Sequence, residues 1–189
     1  MALPLIWLGG AALGALALAE REHRRKLLLE RSLGRSAREP SEATTVLAPS
    51  VWQFDGPSVR PVPGAIVCCH VYGLVEHTGI WLGDSIAELH GSGLIRAVSA
   101  KRFLHGRTGS RIFVACDHDN QPLATQACAD RASEALFQFR DYDLFANNCH
   151  RFVWQCLSGE DREVKSFEAF NQLLASFYSR ALYWDPVPV

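Results

Sequence analysis

The sequence is short of the features that announce most binding functions. Its charge nearly cancels: 19 Lys and Arg stand against 20 Asp and Glu, a formal net charge of −1. That balance gives no electrostatic case for nucleic acid, so none is expected as a partner. Neither a zinc-finger spacing nor a glycine-rich phosphate loop is present. There is no internal repeat and no low-complexity block, which removes repeat architectures. The six cysteines (Cys68, Cys69, Cys116, Cys128, Cys149 and Cys156) are irregularly spaced along 189 residues and do not form a disulfide framework. They read as reduced thiols of a reducing compartment, with adjacent Cys68 and Cys69 in the core. His70 and His118, beside Cys69 and Asp119, lack any recognised ligand spacing, so no metal and no organic cofactor is expected.

What is present begins with an apolar N-terminus. Ala2 to Ala19 carries no charge, and its roughly 18 residues are the short end of what spans a bilayer as a helix. No Lys or Arg precedes it, unlike a secretory signal with a basic start. The basic cluster follows instead, at Arg21, Arg24, Arg25, Lys26, Arg31, Arg35 and Arg38. Positive charge on that flank keeps it in the cytoplasm. The expectation is a single-pass anchor with its N-terminus outside and the rest of the chain inside. Ala17-Leu18-Ala19 before Glu20 also fits a cleavage site, which leaves an atypical signal peptide as the other reading.

Between about 39 and 63, five prolines break regular structure, with Trp52 and Phe54 available to pin the segment. The period then changes. Ala65 to Tyr72 is a continuous apolar run suited to a buried strand. Leu94–Val98 and Arg111–Ala115 read as further strands, Ser99–Leu104 as a helical turn, and Pro122–Phe139 and Ser166–Leu182 as helices. The aromatic stripe of the last (Phe167, Phe170, Phe177, Tyr178) reads as core.

One run is built for chemistry. In Asn147-Asn148-Cys149-His150-Arg151-Phe152 the asparagines can cap a helix, and Phe152, Val153, Cys156 and Leu157 continue it at helical spacing. Cys149 thus falls in the first helical turn, where free N–H groups and the helix dipole favour thiolate. Most single cysteines only fill space, so a base is needed to make this one a nucleophile. Val75–Leu82 and Ser85–Gly91 read as two strands joined by Gly83-Asp84, a tight two-residue loop. That register sets Leu82 against Ser85, Trp81 against Ile86 and His77 against His90, with opposed Cβ atoms about 5 Å apart. One imidazole can then be the base and the other its orienting partner.

Glu76-His77-Thr78-Gly79-Ile80-Trp81-Leu82-Gly83-Asp84, then Glu88-Leu89-His90-Gly91, resembles the histidine hairpin of lecithin–retinol acyltransferase-like proteins, permuted relatives of NlpC-type and papain-type thiol enzymes. Their cysteine lies in an Asn-Cys-Glu-His-Phe-like motif. Asn148-Cys149-His150-Arg151-Phe152 matches it at Asn, Cys and Phe and departs at the two residues between. The resemblance spans about Pro63 to Leu157. It implies Cys149 as nucleophile, His77 as base and His90 as third polar member, acting on acyl groups, often of phospholipids, through an acyl-cysteine. A rival resemblance, Tyr142-Asp143-Leu144-Phe145 before Asn147-Asn148-Cys149, points to permuted cysteine isopeptidases, whose pattern has no counterpart of His90.

The resulting expectation is an α+β protein: a small antiparallel sheet of about four to six strands packed by helices, with the permuted papain-like order implied by the resemblance, plus an N-terminal membrane helix. Residues 1–26 form the anchor and basic flank, 27–62 a juxtamembrane segment and linker, 63–182 the thiol acyltransferase- or hydrolase-like domain, and 183–189 a tail. The expected partners are the membrane and an acyl-bearing substrate such as a phospholipid. An isopeptidase and a non-catalytic tethered binding module are the alternatives.

Overall fold

The computed structural model describes residue 21 and residues 51–53, 56–71, 75–107, 110–143 and 148–188. The apolar segment 2–19, and the basic cluster apart from Arg21, lie outside these, as do Phe54, Tyr72 and Asn147. Among the described residues no helix is long and apolar enough to cross a membrane. In chain order the elements are β1 (Val51–Trp52), β2 (Ile66–Val71), β3 (Val75–Trp81), β4 (Ile86–Leu89), β5 (Ile95–Val98), α1 (Ala100–Leu104), β6 (Phe113–Cys116), α2 (Gln126–Glu134), α3 (Cys149–Ser158), α4 (Phe167–Tyr178) and β7 (Tyr183–Pro186).

The strands form one seven-stranded sheet in the order β1-β7-β6-β2-β3-β4-β5. The six strands β2 to β7 pair antiparallel, and β1 joins β7 in parallel at the edge. The apolar run of β2 is continuous because both its faces are buried. Ile66 and Cys68 pack into the cluster that includes Phe152, Val153, Leu157, Phe170 and Leu174 of α3 and α4. Val67 and Cys69 pack on the opposite side with Phe103 of α1. Side chains alternate across a strand, so the neighbouring cysteines Cys68 and Cys69 serve different layers. All six cysteines are buried.

The expected hairpin forms with its expected register. Leu82 N–H donates to Ser85 O over 2.8 Å, Trp81 pairs with Ile86, and Gly83 takes a φ of +116° in the turn. Gly79 is required by proximity: a Cβ there would lie 2.7 Å from Ile86 Cγ2 and 2.9 Å from Ala87 O.

Three expectations need correction. The helix foreseen over 122–139 is only Gln126–Glu134. Its start is set by Thr125, whose side chain accepts from Cys128 N, while Pro122 and Ala124 make bridges to Cys116 and Ala65. Its end is set by pairing: Phe137 turns to a φ of +67° and donates its N–H to Ile95 O. The last helix likewise stops at Tyr178, because Ser179 takes a left-handed φ of 51°. Finally, 183–189 is not a tail. Buried Tyr183–Pro186 forms β7, inserted between β1 and β6, with Trp184 fully buried against Trp52 and Phe167. Aromatic burial on this scale outweighs the weak local strand signal of a Trp-Asp-Pro sequence.

Candidate active site

Cys149 is the first residue of α3. Asn148 fixes that start from both ends of its amide: Oδ1 accepts from Arg151 N at 3.0 Å, and Nδ2 donates to Val164 O at 2.8 Å. At the other end Gly159 takes the left-handed cap, and Arg131 donates to the terminal carbonyls of Cys156 and Leu157. Phe152, Val153, Cys156 and Leu157 bury the inner face of the helix. Both ends and one side are therefore held, and the thiol is left only 5 % exposed at the positive end of the dipole.

Two imidazoles address this sulfur. His77, buried on β3, interacts with the Cys149 side chain, each shifting the other's charge state. His77 Nε2 lies 2.8 Å from Glu88 Oε2, so Nδ1 is the ring nitrogen left for sulfur. His150, the second residue of α3, places Nδ1 3.9 Å from Cys149 Sγ and 3.1 Å from Thr78 Oγ1. Its ring stacks on Phe170, with centroids 5.4 Å apart. Burial by itself would push the Cys149 thiol up. The charges of His150 and His77 and their hydrogen bonds outweigh that and bring it well below its ordinary value. Conversely, burial opposes charging His77, but the Cys149 thiolate and the bond to Glu88 raise it. Three other thiols behave oppositely: burial pushes Cys69, Cys128 and Cys156 each up to about 12.

Glu88 is fully buried and is met by three cationic or ionisable side chains. Oε2 accepts from Arg107 Nη2 at 2.8 Å as well as facing His77; Oε1 accepts from Arg96 Nε at 2.9 Å and Nη2 at 2.8 Å. Burial favours a neutral carboxyl, yet the His77 bond, the charges of His77 and Arg107, and the Arg96 bond hold it down to about 2.

His90 is elsewhere. The β3–β4 ladder is recorded only at Ile80↔Ala87 and Trp81↔Ile86, and β4 ends at Leu89. Past that end His90 Nδ1 turns to Ser92, 2.9 Å from Oγ and 3.2 Å from the backbone N. Of the three side chains the sequence suggested, the fold joins Cys149 and His77, while His77 Nε2 meets Glu88 rather than His90. Sequence reasoning missed Glu88, Arg96, Arg107 and His150. The first had a signal: an acidic residue between Ala87 and Leu89 on the same strand face as His90. Among the described residues no three His, Cys, Asp or Glu side chains group to hold a metal ion.

The α+β fold thus carries a buried cysteine beside histidines at a helix N-terminus, an arrangement that favours thiolate. The lecithin retinol acyltransferase family model matches residues 60–162, more than half of the chain, and the chain belongs to that family. No curated protein matches it.

Proposed function

We propose that this chain is a cysteine-dependent acyltransferase or acyl hydrolase, with Cys149 as nucleophile, His77 as base and a lipid acyl group as substrate. The observation that carries the reading is the Cys149–His77 pair within a lecithin retinol acyltransferase domain: one thiol depressed by imidazoles while its neighbours are raised. His77 holds the sulfur proton, and the thiolate attacks the acyl carbonyl carbon. The carbonyl π pair moves onto oxygen, where the N–H of Cys149 at the helix start can receive it, since first-turn amides have no intrahelical acceptor. Collapse expels the alcohol part of the donor, which takes the proton from His77, and leaves a thioester on Cys149. His77 then deprotonates water or another acceptor, whose attack releases the acyl group and restores the thiolate. The permuted papain-like order, with the histidine strand ahead of the cysteine helix, belongs to this reading.

The apolar segment 2–19 and the following arginines would tether the domain to the cytoplasmic face, giving access to phospholipid rather than chemistry. The test combines a limiting thiol-directed probe, site mapping by mass, and turnover of soluble short-chain esters and phospholipid vesicles. Expected are selective labelling of Cys149 and its loss in Cys149→Ser. Deleting residues 1–26 should spare soluble esters and sharply reduce vesicle turnover. Equal labelling in Cys149→Ser would overturn the nucleophile; equal vesicle turnover without the anchor would overturn the membrane argument; cleavage of isopeptides but not esters would replace the substrate class.

A further inference from the structure

We propose that Glu88, not His90, is the residue that positions His77: its carboxylate accepts the Nε2 proton, fixes the ring tautomer and turns Nδ1 toward Cys149. The inference rests on the cysteine–histidine reading above and deepens it.

The geometry begins with the hairpin. By continuation of the observed register Glu88 stands opposite Gly79, one alternate position along the strand from His77 and on the same face. Gly79 offers no side chain, so the Glu88 carboxyl can reach diagonally to His77, where the Nε2–Oε2 distance is 2.8 Å. The carboxylate is itself immobilised. Arg96 arrives from β5 and Arg107 from the turn after α1, and Arg107 is fastened in turn by Nη1 to Phe103 O. Phe103 also lies against the His77 ring, with centroids 5.1 Å apart. Two guanidiniums keep Glu88 ionised, so it accepts a proton bond without taking the proton. A hydroxyl or a second imidazole could fix the tautomer as well, but only a carboxylate also stabilises the imidazolium by charge.

The ionisable groups facing this pair from the packed elements are few. Cys149 of α3, Cys69 of β2, Arg96 and Arg107 act on it most directly. Cys69 is pushed up to about 12 by burial, so it carries no charge near neutral pH. Glu76, His90 and Tyr142 lie in the outer field, and His150 reaches the pair through the sulfur. Arg107 opposes charging of His77, whereas Glu88 and the thiolate favour it.

The full chain labelled with ¹⁵N-histidine provides the first test, with no substitution needed. His77 Nε2 should stay protonated across pH 5–9, its proton shifted downfield by the carboxylate. An Nδ1–H tautomer at neutral pH would overturn the proposal. The second test is the pH profile of Cys149 alkylation. In Glu88→Gln the imidazolium loses its counter-charge, the proton returns to sulfur, and the midpoint should rise by about one to two pH units. Glu88→Asp keeps the charge, should fold even if Glu88→Gln does not, and should give a smaller rise. His90→Ala should move the midpoint less than either. For a soluble ester, Glu88→Gln should lower kcat by roughly 10²-fold or more with KM little changed, as removing a carboxylate that sets a catalytic tautomer does. An unmoved midpoint in both Glu88 variants, or a larger shift from His90→Ala, would overturn the role of Glu88. Failure of the parent protein to label selectively at Cys149 would overturn the function reading instead, so the two failures are distinct.

Discussion

Two imidazoles flank one sulfur, and their surroundings are opposite. His77 sits in a charged, cross-braced setting: a buried carboxylate behind it and two arginines behind the carboxylate. His150 sits in an apolar one, with the Thr78 hydroxyl as its hydrogen-bond partner and the Phe167 and Phe170 rings around it. Both contribute to lowering the Cys149 thiol, His150 by the larger charge effect. The difference lies in the second partner of each ring: Glu88 on Nε2 of His77, and the Thr78 hydroxyl on the same Nδ1 of His150 that faces the sulfur. A carboxylate stabilises an imidazolium much more than a neutral hydroxyl does, so in the proposed mechanism the proton taken from sulfur belongs on His77.

The comparison can be broken most severely by removing what the two rings share. Cys149→Ser should abolish thioester formation and reduce turnover by at least about 10³-fold, measured by acyl-enzyme trapping in intact-mass spectra. A persistent acyl adduct would place the nucleophile elsewhere.

Removing the rings one at a time separates them. His77→Gln should cost about 10²–10⁴ in kcat/KM and move the alkylation midpoint upward, since sulfur loses its proton acceptor. His150→Gln should produce a smaller shift of the same sign. A larger effect at His150 would transfer the base role to it and end the comparison.

The charged side should also show in acid. Glu88 has its pKa lowered from an ordinary 4.5 to about 2 on folding. A carboxyl depressed in the folded state adds stability that is complete above 4.5 and is lost as pH falls toward 2. At most about 3 kcal/mol is at stake by linkage. Denaturant melts between pH 6 and pH 2 should therefore converge for the parent and Glu88→Gln as pH falls. A constant gap would mean that the ion pairs with Arg96 and Arg107 do not act through this titration.

The smallest expected effect is on the apolar side. Thr78→Val keeps the volume, removes the hydroxyl from His150 Nδ1 and should cost about 1 kcal/mol of stability, read as a lower unfolding midpoint. Its effect on the Cys149 pH profile should be smaller than that of His150→Gln. A profile shift rivalling that of His77→Gln would show that the hydroxyl side controls the thiol after all.

Much of the frame was legible because its signals are local. Gly83-Asp84 between two strand-forming runs fixed a hairpin register, and Asn148 before Phe152, Val153 and Cys156 fixed a helix start at Cys149. What failed was decided between distant segments. Pro122–Ala124 looked like the opening of a helix until its bridges to Ala65 and Cys116 existed. Tyr183–Pro186 looked like a tail until Trp184 had Trp52 and Phe167 to stack against. His90 was placed opposite His77 by a correct register, but pairing ended before that rung and Ser92 took the ring.

The sequence by itself determined which residue types were available and where turns and caps had to fall: a thiol at a helix start, a histidine on a hairpin strand, and the family they mark. These depend on interactions a few residues long. Only the tertiary structure decided which partner each histidine meets. Glu88 is joined to Arg96, Arg107 and His77 by strand pairing and by the turn after α1. His150 meets Thr78 only because α3 packs across β3, 72 positions away in the chain. The charge state of a buried group depends on the sum of such non-local contacts, and that sum does not exist until the chain has folded.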